Sequence, residues 1–211
     1  MEQKILFIGG GAIATALGNV LARKKHFNVI LLTIEDNVCN SINQNHINQK
    51  YFPNIFLNER LRASTDHSLL EQQAIVFLAI PSTVTVEFLK KQRIHPKSML
   101  VNLAKGFGGD GKTIAEILQQ EFPNPVCTMK GPSFAREILN NQPTGFTVGT
   151  ESRRTFNDIK KLFPHTNVFV DHTHDMRGVE ILSILKNIYA IAIGVVDAQF
   201  ESPNQRFLIF T

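Results

Sequence analysis

The sequence predicts an α/β fold: a doubly wound, mostly parallel sheet, followed by the first helix of an all-α segment. Three observations carry this. Short apolar runs alternate with stretches of helical period along the first 177 residues. The first run, Ile5 to Ile8, leads into Gly9, Gly10 and Gly11, and then into a helical pattern of Ile13, Ala16, Leu17, Val20 and Leu21. Beyond about Gly178 the alternation stops and the chain turns helical and apolar. The expected division is therefore residues 1–177 as one α/β domain and residues 178–211 as the start of a helical one.

Strand, glycine turn and helix N-terminus form the first βα unit of a dinucleotide-binding fold of the Rossmann type. Gly9 permits the tight turn, and Gly11 lets a pyrophosphate approach the backbone. Ala14 replaces the third glycine and still allows close helix–strand packing. The N–H groups of the turn starting at Ala12 face the phosphates, aided by the helix dipole. The cofactor-contacting stretch is thus Gly9, Gly11, Ala12, Ile13 and Ala14, a simple tight turn being the alternative.

A second strand, Asn28 to Leu32, follows the first helix. Glu35 and Asp36 lie just past it, about 21 residues beyond Ala14. An acid there either holds the adenosine ribose hydroxyls or is a solvated turn carboxylate. Asp36 to Gln49 reads as an Asn-rich helix, broken by Tyr51 to Asn54. Gln73 to Ile80 is a strongly apolar strand ending at Pro81-Ser82, with Thr83 to Gln92 as its crossover helix. Ser98 to Leu103 is the next strand, followed by Ala104-Lys105-Gly106. Lys112 to Glu121 is a helix. Val126 to Met129 is a strand leading into Gly131-Pro132-Ser133-Phe134-Ala135. Gly145 to Gly149 and Val168 to Val170 are short strands flanking a helix near Thr155 to Phe163. Ligands in such sheets sit beyond the carboxyl ends of the strands, which is where Lys105 and the Gly131–Ala135 loop fall.

Composition narrows the function. A hydrophobic content of 43% over 211 residues suits a globular protein with a sizeable core. The net charge of +4 is spread along the chain, which favours anionic small ligands and argues against nucleic acid. Cys39 and Cys127 have neither metal nor redox spacing, so no metal site is expected and a reducing, cytoplasmic setting is. His165, His172 and His174 read as a solvated turn. The longest apolar stretch, Ile181 to Val196, carries Lys186 and Asn187 in its middle and is expected to be a buried helix rather than a membrane span.

Lys186 is the most informative residue. Within so apolar a helix it either snorkels to an edge or is held in a site. Desolvation or a second cation would make it a usable proton acceptor. Lys105 is a candidate for that cation, or an ordinary loop lysine. Ser133 either donates to a phosphate or caps the helix starting at Phe134.

These pieces together resemble the NAD(P)-dependent glycerol-3-phosphate dehydrogenases in their bacterial form. The matching stretches are IGGGAIATAL (Ile8–Leu17), NQKYFPN (Asn48–Asn54), AIPS (Ala79–Ser82), AKGF (Ala104–Phe107), GPSFAREI (Gly131–Ile138), QPT (Gln142–Thr144) and GVEILSILKNIYAIAIGVVDA (Gly178–Ala198). They are collinear and cover essentially the whole chain. The resemblance implies a hydride transfer between NAD(P)H and dihydroxyacetone phosphate or sn-glycerol 3-phosphate. It makes Lys186 the proton acceptor, accompanied by Asn187. It gives Lys105 contacts to both cofactor and substrate, Gly131 and Ser133 contacts to the substrate, and Ala135, Tyr51 and Pro81 places at the cofactor.

The departures from the family pattern matter too. Ile13 replaces the usual aromatic of the glycine turn. Ile34 and Glu35 stand where relatives carry basic residues, which implies NAD(H) over NADP(H). AQFESPN at Ala198–Asn204 replaces a glycine-rich loop. The family's phosphate-binding cluster and second catalytic carboxylate would lie past Thr211, so the expectation is a truncated chain, inactive alone, that self-associates through the exposed apolar helix and the tail Arg206–Phe210. The alternatives are a non-catalytic dinucleotide-binding relative and a dehydrogenase of the ketopantoate-reductase kind, against which the GPSFA and LKN stretches argue.

Overall fold

The computed structural model describes residues 2–199. The tail Arg206–Phe210, and all but the first two residues of the stretch at 198–204, lie outside them.

Strands β1 (Gln3–Ile8) and β2 (Phe27–Leu32) run parallel, pairing from Gln3↔Phe27 to Ile8↔Leu32, with helix α1 (Ala12–Ala22) as their crossover. Helix α2 (Asp36–Asn45) follows, then a hairpin of β3 (Ile47–Asn48) and β4 (Phe52–Phe56), then β5 (Arg62–Ser64) on the outer edge of β2. Strand β6 (Ile75–Leu78) returns to the other side of β1. Helix α3 (Ser82–Lys90) leads to β7 (Met99–Asn102). A small hairpin, β8 (Phe107–Gly109) and β9 (Lys112–Thr113), precedes α4 (Ile114–Glu121) and β10 (Val126–Lys130). Then come α5 (Ala135–Leu139), β11 (Thr144–Gly149), α6 (Arg153–Lys160), β12 (Val168–Thr173) and α7 (Met176–Gln199).

The sheet order is β12-β11-β10-β7-β6-β1-β2-β5, and every neighbouring pair is parallel except β10 with β11. This is the predicted doubly wound sheet. Side chains of β1 alternate between two cores, as a strand covered on both faces requires. Ile5 and Phe7 join Leu17, Leu21 and Phe77 beneath α1, Phe7 and Phe77 stacking with ring centroids 4.6 Å apart. Leu6 and Ile8 join Leu78, Leu100 and Leu118 on the α3–α4 face.

Three sequence expectations need correction. Helix α2 stops at Asn45 rather than Gln49, because His46 takes a left-handed conformation (φ 53°) and the next two residues pair with β4. Helix α4 starts at Ile114 rather than Lys112, because Thr113 and Glu116 form a reciprocal capping box. Helix α7 is not buried along Ile181–Val196. It starts at Met176, and of its residues only Met176, Glu180 and Ser183 are buried. Leu182, Ile188 and Ile191 are 67%, 60% and 70% exposed. It contacts α4, β9, β10 and β11, and its buried residues all fall between Met176 and Ser183. By length and composition alone α7 is long and apolar enough to cross a membrane. Among the described residues nothing covers its distal face.

Candidate active site

The strand order reverses at β1, with β2 on one side and β6 on the other, and a crevice opens at the carboxyl ends there. The glycine turn sits at its base. Gly9 has φ +117°, and a Cβ on it would lie 2.7 Å from the Ala79 carbonyl oxygen, so this position needs glycine for both reasons. Gly11 differs: a Cβ there would meet nothing within 4 Å. Gly11 also opens α1, and no side chain caps that helix or brings an acid to its first turn. An open approach to backbone at an uncapped helix N-terminus fits a pyrophosphate. Asn48, fully buried on the β3–β4 hairpin, donates to the Gly10 carbonyl (2.9 Å) and to Thr15 Oγ1 (2.8 Å), fastening the hairpin to the turn.

Beside the turn is a cavity of about 420 Å³. Ala12 and Ile13 line it from α1, Ala79 and Ile80 from the end of β6, Leu103 to Lys105 from the end of β7, and Lys130, Gly131 and Ser133 to Ala135 from the end of β10. The fold thus brings together six of the predicted site residues: Ala12, Ile13, Lys105, Gly131, Ser133 and Ala135. Gly9, Gly11 and buried Ala14 belong to the adjoining turn. Pro81 precedes α3 just beyond Ile80.

Ile34, Glu35 and Tyr51 do not line this cavity. Ile34 is exposed beyond β2, and Tyr51 is exposed on the hairpin. Glu35 is bonded to Lys50 (2.5 Å). Asn187 is exposed on α7, outside the cavity lining. A larger crevice of about 1320 Å³, lined in part by Lys4, Gln73 and Pro125, lies at the opposite, amino end of the central strands.

Two lysines from separate elements lie near the cavity, Lys105 in its lining and Lys186 beside Phe134. The Lys186 ammonium stands 5.5 Å from the ring centroid of Phe134, which lines the cavity. The Lys105 ammonium is pushed below the ordinary lysine range, first by partial burial and second by the charge of Lys186. Lys186 itself is not among the residues that line the cavity; its contact there is with the ring of Phe134. Ser133 does not cap α5; its hydroxyl donates instead to the Gly131 carbonyl (3.4 Å). Gly131 itself packs so closely on β11 that a Cβ would fall 2.2 Å from the Gly145 carbonyl oxygen.

Sequence reasoning missed a buried network that begins in this wall at Lys130 and runs behind it. Lys130 and Glu180 are 5% and 1% exposed, with Nζ and Oε1 3.6 Å apart. Glu180 also accepts from Asn102 Nδ2, from Thr128 Oγ1 (2.9 Å) and from the Ala115 amide (3.1 Å) at the start of α4. Burial brings the Lys130 ammonium down to about 8, against the opposing pull of Glu180. Burial pushes the neighbouring Cys127 thiol up to about 12, leaving it neutral. A charged residue closing an otherwise apolar strand (VCTMK) was the one available signal. Among the described residues no group of three or more His, Cys, Asp or Glu side chains is placed to hold a metal ion.

Residues 4–156 match the sequence model of one family, described as the N-terminus of NAD-dependent glycerol-3-phosphate dehydrogenase. The chain belongs to this family. A glycerol-3-phosphate dehydrogenase [NAD(P)+] from Leptospira biflexa is 34% identical over 217 residues, spanning 99% of this chain and 65% of its own length. A chloroplastic, NAD(+)-dependent relative from Oryza sativa is 34% identical over 96% of this chain, which covers 48% of it. The crystal structure of glycerol-3-phosphate dehydrogenase from Coxiella burnetii superposes with a TM-score of 0.86 at 27% identity, over 99% of this chain and 65% of that one. A ketopantoate reductase from Ralstonia eutropha reaches a TM-score of 0.61 at 17% identity, a likeness of fold alone. The chain thus spans just under two-thirds of the first of these glycerol-3-phosphate dehydrogenases and about half of the second.

Proposed function

We propose that the chain is the cofactor-binding portion of an oxidoreductase that interconverts dihydroxyacetone phosphate and sn-glycerol 3-phosphate. The observation that carries this is that Lys105 lines a cavity beside the glycine turn while Lys186 stands over Phe134 of the same lining, close enough for its charge to act on Lys105. On this reading, bound NAD(P)H supplies or accepts the hydride. The turn at Gly9–Ala14 holds the pyrophosphate through backbone N–H groups. Lys186 takes the hydroxyl proton in the oxidative direction and returns it in the other. Lys105 places a second positive charge where the substrate oxygen becomes an alkoxide. Gly131 and Ser133 shape the substrate side of the cavity. Ala135, Tyr51 and Pro81 border the cofactor, and Asn187 accompanies Lys186. The proposed domain division at Gly178 falls inside α7, whose sheet-covering part continues to Ser183 before the exposed surface begins. No arginine lines the cavity among the described residues. The chain alone is therefore expected to bind cofactor with little turnover of a dianionic substrate.

The cofactor preference on this reading is NAD(H) over NADP(H). The Glu35 carboxylate accepts hydrogen bonds from ribose hydroxyls and repels a 2′-phosphate. At a partly exposed site that is worth about tenfold in affinity. Calorimetric titrations with NADH and NADPH provide the test, with Glu35→Gln expected to narrow the gap. Tighter binding of NADPH would mean that Lys50, released from Glu35, reads the 2′-phosphate instead.

The proposed setting is cytoplasmic, supported by the free thiols of Cys39 and Cys127. The exposed apolar face of α7 is proposed to pack against protein, not lipid, because Lys186 and Asn187 interrupt it midway. Light scattering on the purified chain is then expected to give a dimer or larger species. Serine at Leu182, Ile188 and Ile191 is expected to return it to a monomer. A monomeric parent chain would remove the proposal.

A further inference from the structure

One residue of the cavity wall, Lys130, anchors a buried network that the proposed reaction does not use. Leu103 and Ala104 line the cavity beside it, and Lys105 lies in the bend that follows. The carbonyls on either side of Leu103, those of Asn102 and Ala104, both turn back to one buried donor. Lys130 Nζ donates to Asn102 O (3.2 Å) and to Ala104 O. Asn102 Oδ1 closes the same bend by accepting from the Ala104 amide (3.0 Å). The third partner of the ammonium, Glu180, lies on α7, six residues before Lys186. The same carboxylate is bonded to β7 through Asn102, to β10 through Thr128 and to α4 through the Ala115 amide. One ion pair therefore joins the loop that carries Lys105 to the helix that carries Lys186.

A buried pair of this kind is a poor source of stability, since desolvating both charges offsets most of their attraction. What it does supply is fixed geometry. A lysine and a glutamate with all these partners satisfied admit one register of α7 against β10, and one course of the backbone out of β7. Half-satisfied alternatives would leave a charge unpaired in the core.

We propose that Lys130 is a positioning residue: clamped by Glu180, its ammonium fixes the Asn102–Lys105 bend and the rotation of α7, and so sets Lys105 and Lys186 against each other near the cavity. This deepens the proposed function and rests on it for the meaning of the two lysines, though the clamp can be read without cofactor or substrate. The ionisable groups facing Lys130 are Glu180 from α7, Lys105 from the β7 exit and Cys127 from its own strand. Cys127, at about 12, stays neutral through the range used below.

The test compares the wild-type chain with Lys130→Met, and with Lys130→Met/Glu180→Gln, which removes both charges and keeps near-equal volume. The single variant strands Glu180 and is expected to unfold readily. The double variant is expected to fold. The readout is the titration of Lys105, followed by 13C NMR after reductive 13C-methylation of exposed lysines. Removing the Lys130 charge by itself moves the Lys105 titration upward, so the diagnostic is the coupling of Lys105 to Lys186: the shift that Lys186→Ala causes in the Lys105 titration, measured in the wild-type and in the double-variant background. A structural role alone would change the melting temperature and leave that coupling as it was. Positioning predicts that the coupling is lost in the double variant, because the loosened bend lets Lys105 leave Lys186. A folded double variant with an unchanged coupling would overturn the proposal.

A wild-type measurement covers a double variant that does not fold. The amide shifts of Ala104 and Lys105 are expected to inflect near pH 8 as Lys130 loses its proton, while that of Gly11 does not. Flat curves across the pH interval in which the Lys130 side-chain resonance itself is seen to titrate would also overturn it. An NADH titration alongside keeps the two readings apart: loss of cofactor binding in the wild type would refute the proposed function, and the Lys105 titration would still report on the clamp.

Discussion

Gly11→Val is expected to lower the affinity for NADH by at least ~10²-fold, about 2.7 kcal/mol or more, with the fold intact. The two glycines of the turn separate binding from folding. At Gly11 the backbone is ordinary (φ −76°) and the space beyond the missing Cβ is open, so the folded protein gains no clash from valine. The branched side chain fills the space through which a pyrophosphate would reach the first N–H groups of α1. Gly9→Val should do the reverse. With φ +117° and the Ala79 carbonyl 2.7 Å from any Cβ, it strains the turn and separates β1 from the end of β6. Calorimetric titration with NADH, paired with thermal unfolding of each variant, distinguishes them. A Gly11→Val protein that binds NADH as tightly as the parent would remove the pyrophosphate from this turn.

The second large effect concerns Lys186. In the polypeptide that turns over dihydroxyacetone phosphate, Lys186→Ala is expected to cut kcat by at least ~10²-fold while the NADH affinity stays within about twofold. The reason is placement. Lys186 stands on α7 over the ring of Phe134, on the side proposed for substrate, whereas the proposed cofactor cradle is built from β1, α1 and the end of β6. Its charge also holds down the proton affinity of Lys105. Lys186→Ala should therefore shift the Lys105 titration upward even where no turnover is measured. A variant that keeps most of its rate would show that the proton is taken elsewhere.

The turn and the sheet were legible in the sequence because they depend on local signals. Gly9 and Gly11 follow an apolar run and precede a helical period, and each long strand announces itself as a run of buried residues such as Ile75–Leu78. Lys105 and the Gly131–Ala135 loop could be placed near one another because both follow strands of the same parallel sheet. The short elements were not legible. β5, β8 and β9 have two or three residues each, too few for any period, and exist because a neighbouring edge offers hydrogen bonds. Asn48 could not be recognised as the bolt between hairpin and turn, since its partners Gly10 and Thr15 are more than 30 residues away. Lys130 and Glu180 were missed for the same reason: each looks like a solvated charge until the fold places them 3.6 Å apart in the core. The burial expected of α7 failed differently. Its composition says that it is apolar, and composition cannot say what covers it.

The central claim is that cofactor and substrate share the crevice at the carboxyl ends of β1, β6, β7 and β10. Mapping NADH onto the 15N-labelled chain by NMR tests it most directly. The expected result is a contiguous set of shifted amides at Gly10–Ala14, Ala79–Ile80, Lys105 and Ala135, with Lys4, Gln73 and Glu151 at the opposite crevice unmoved. Shifts confined to that opposite crevice, or none at saturating NADH, would contradict it.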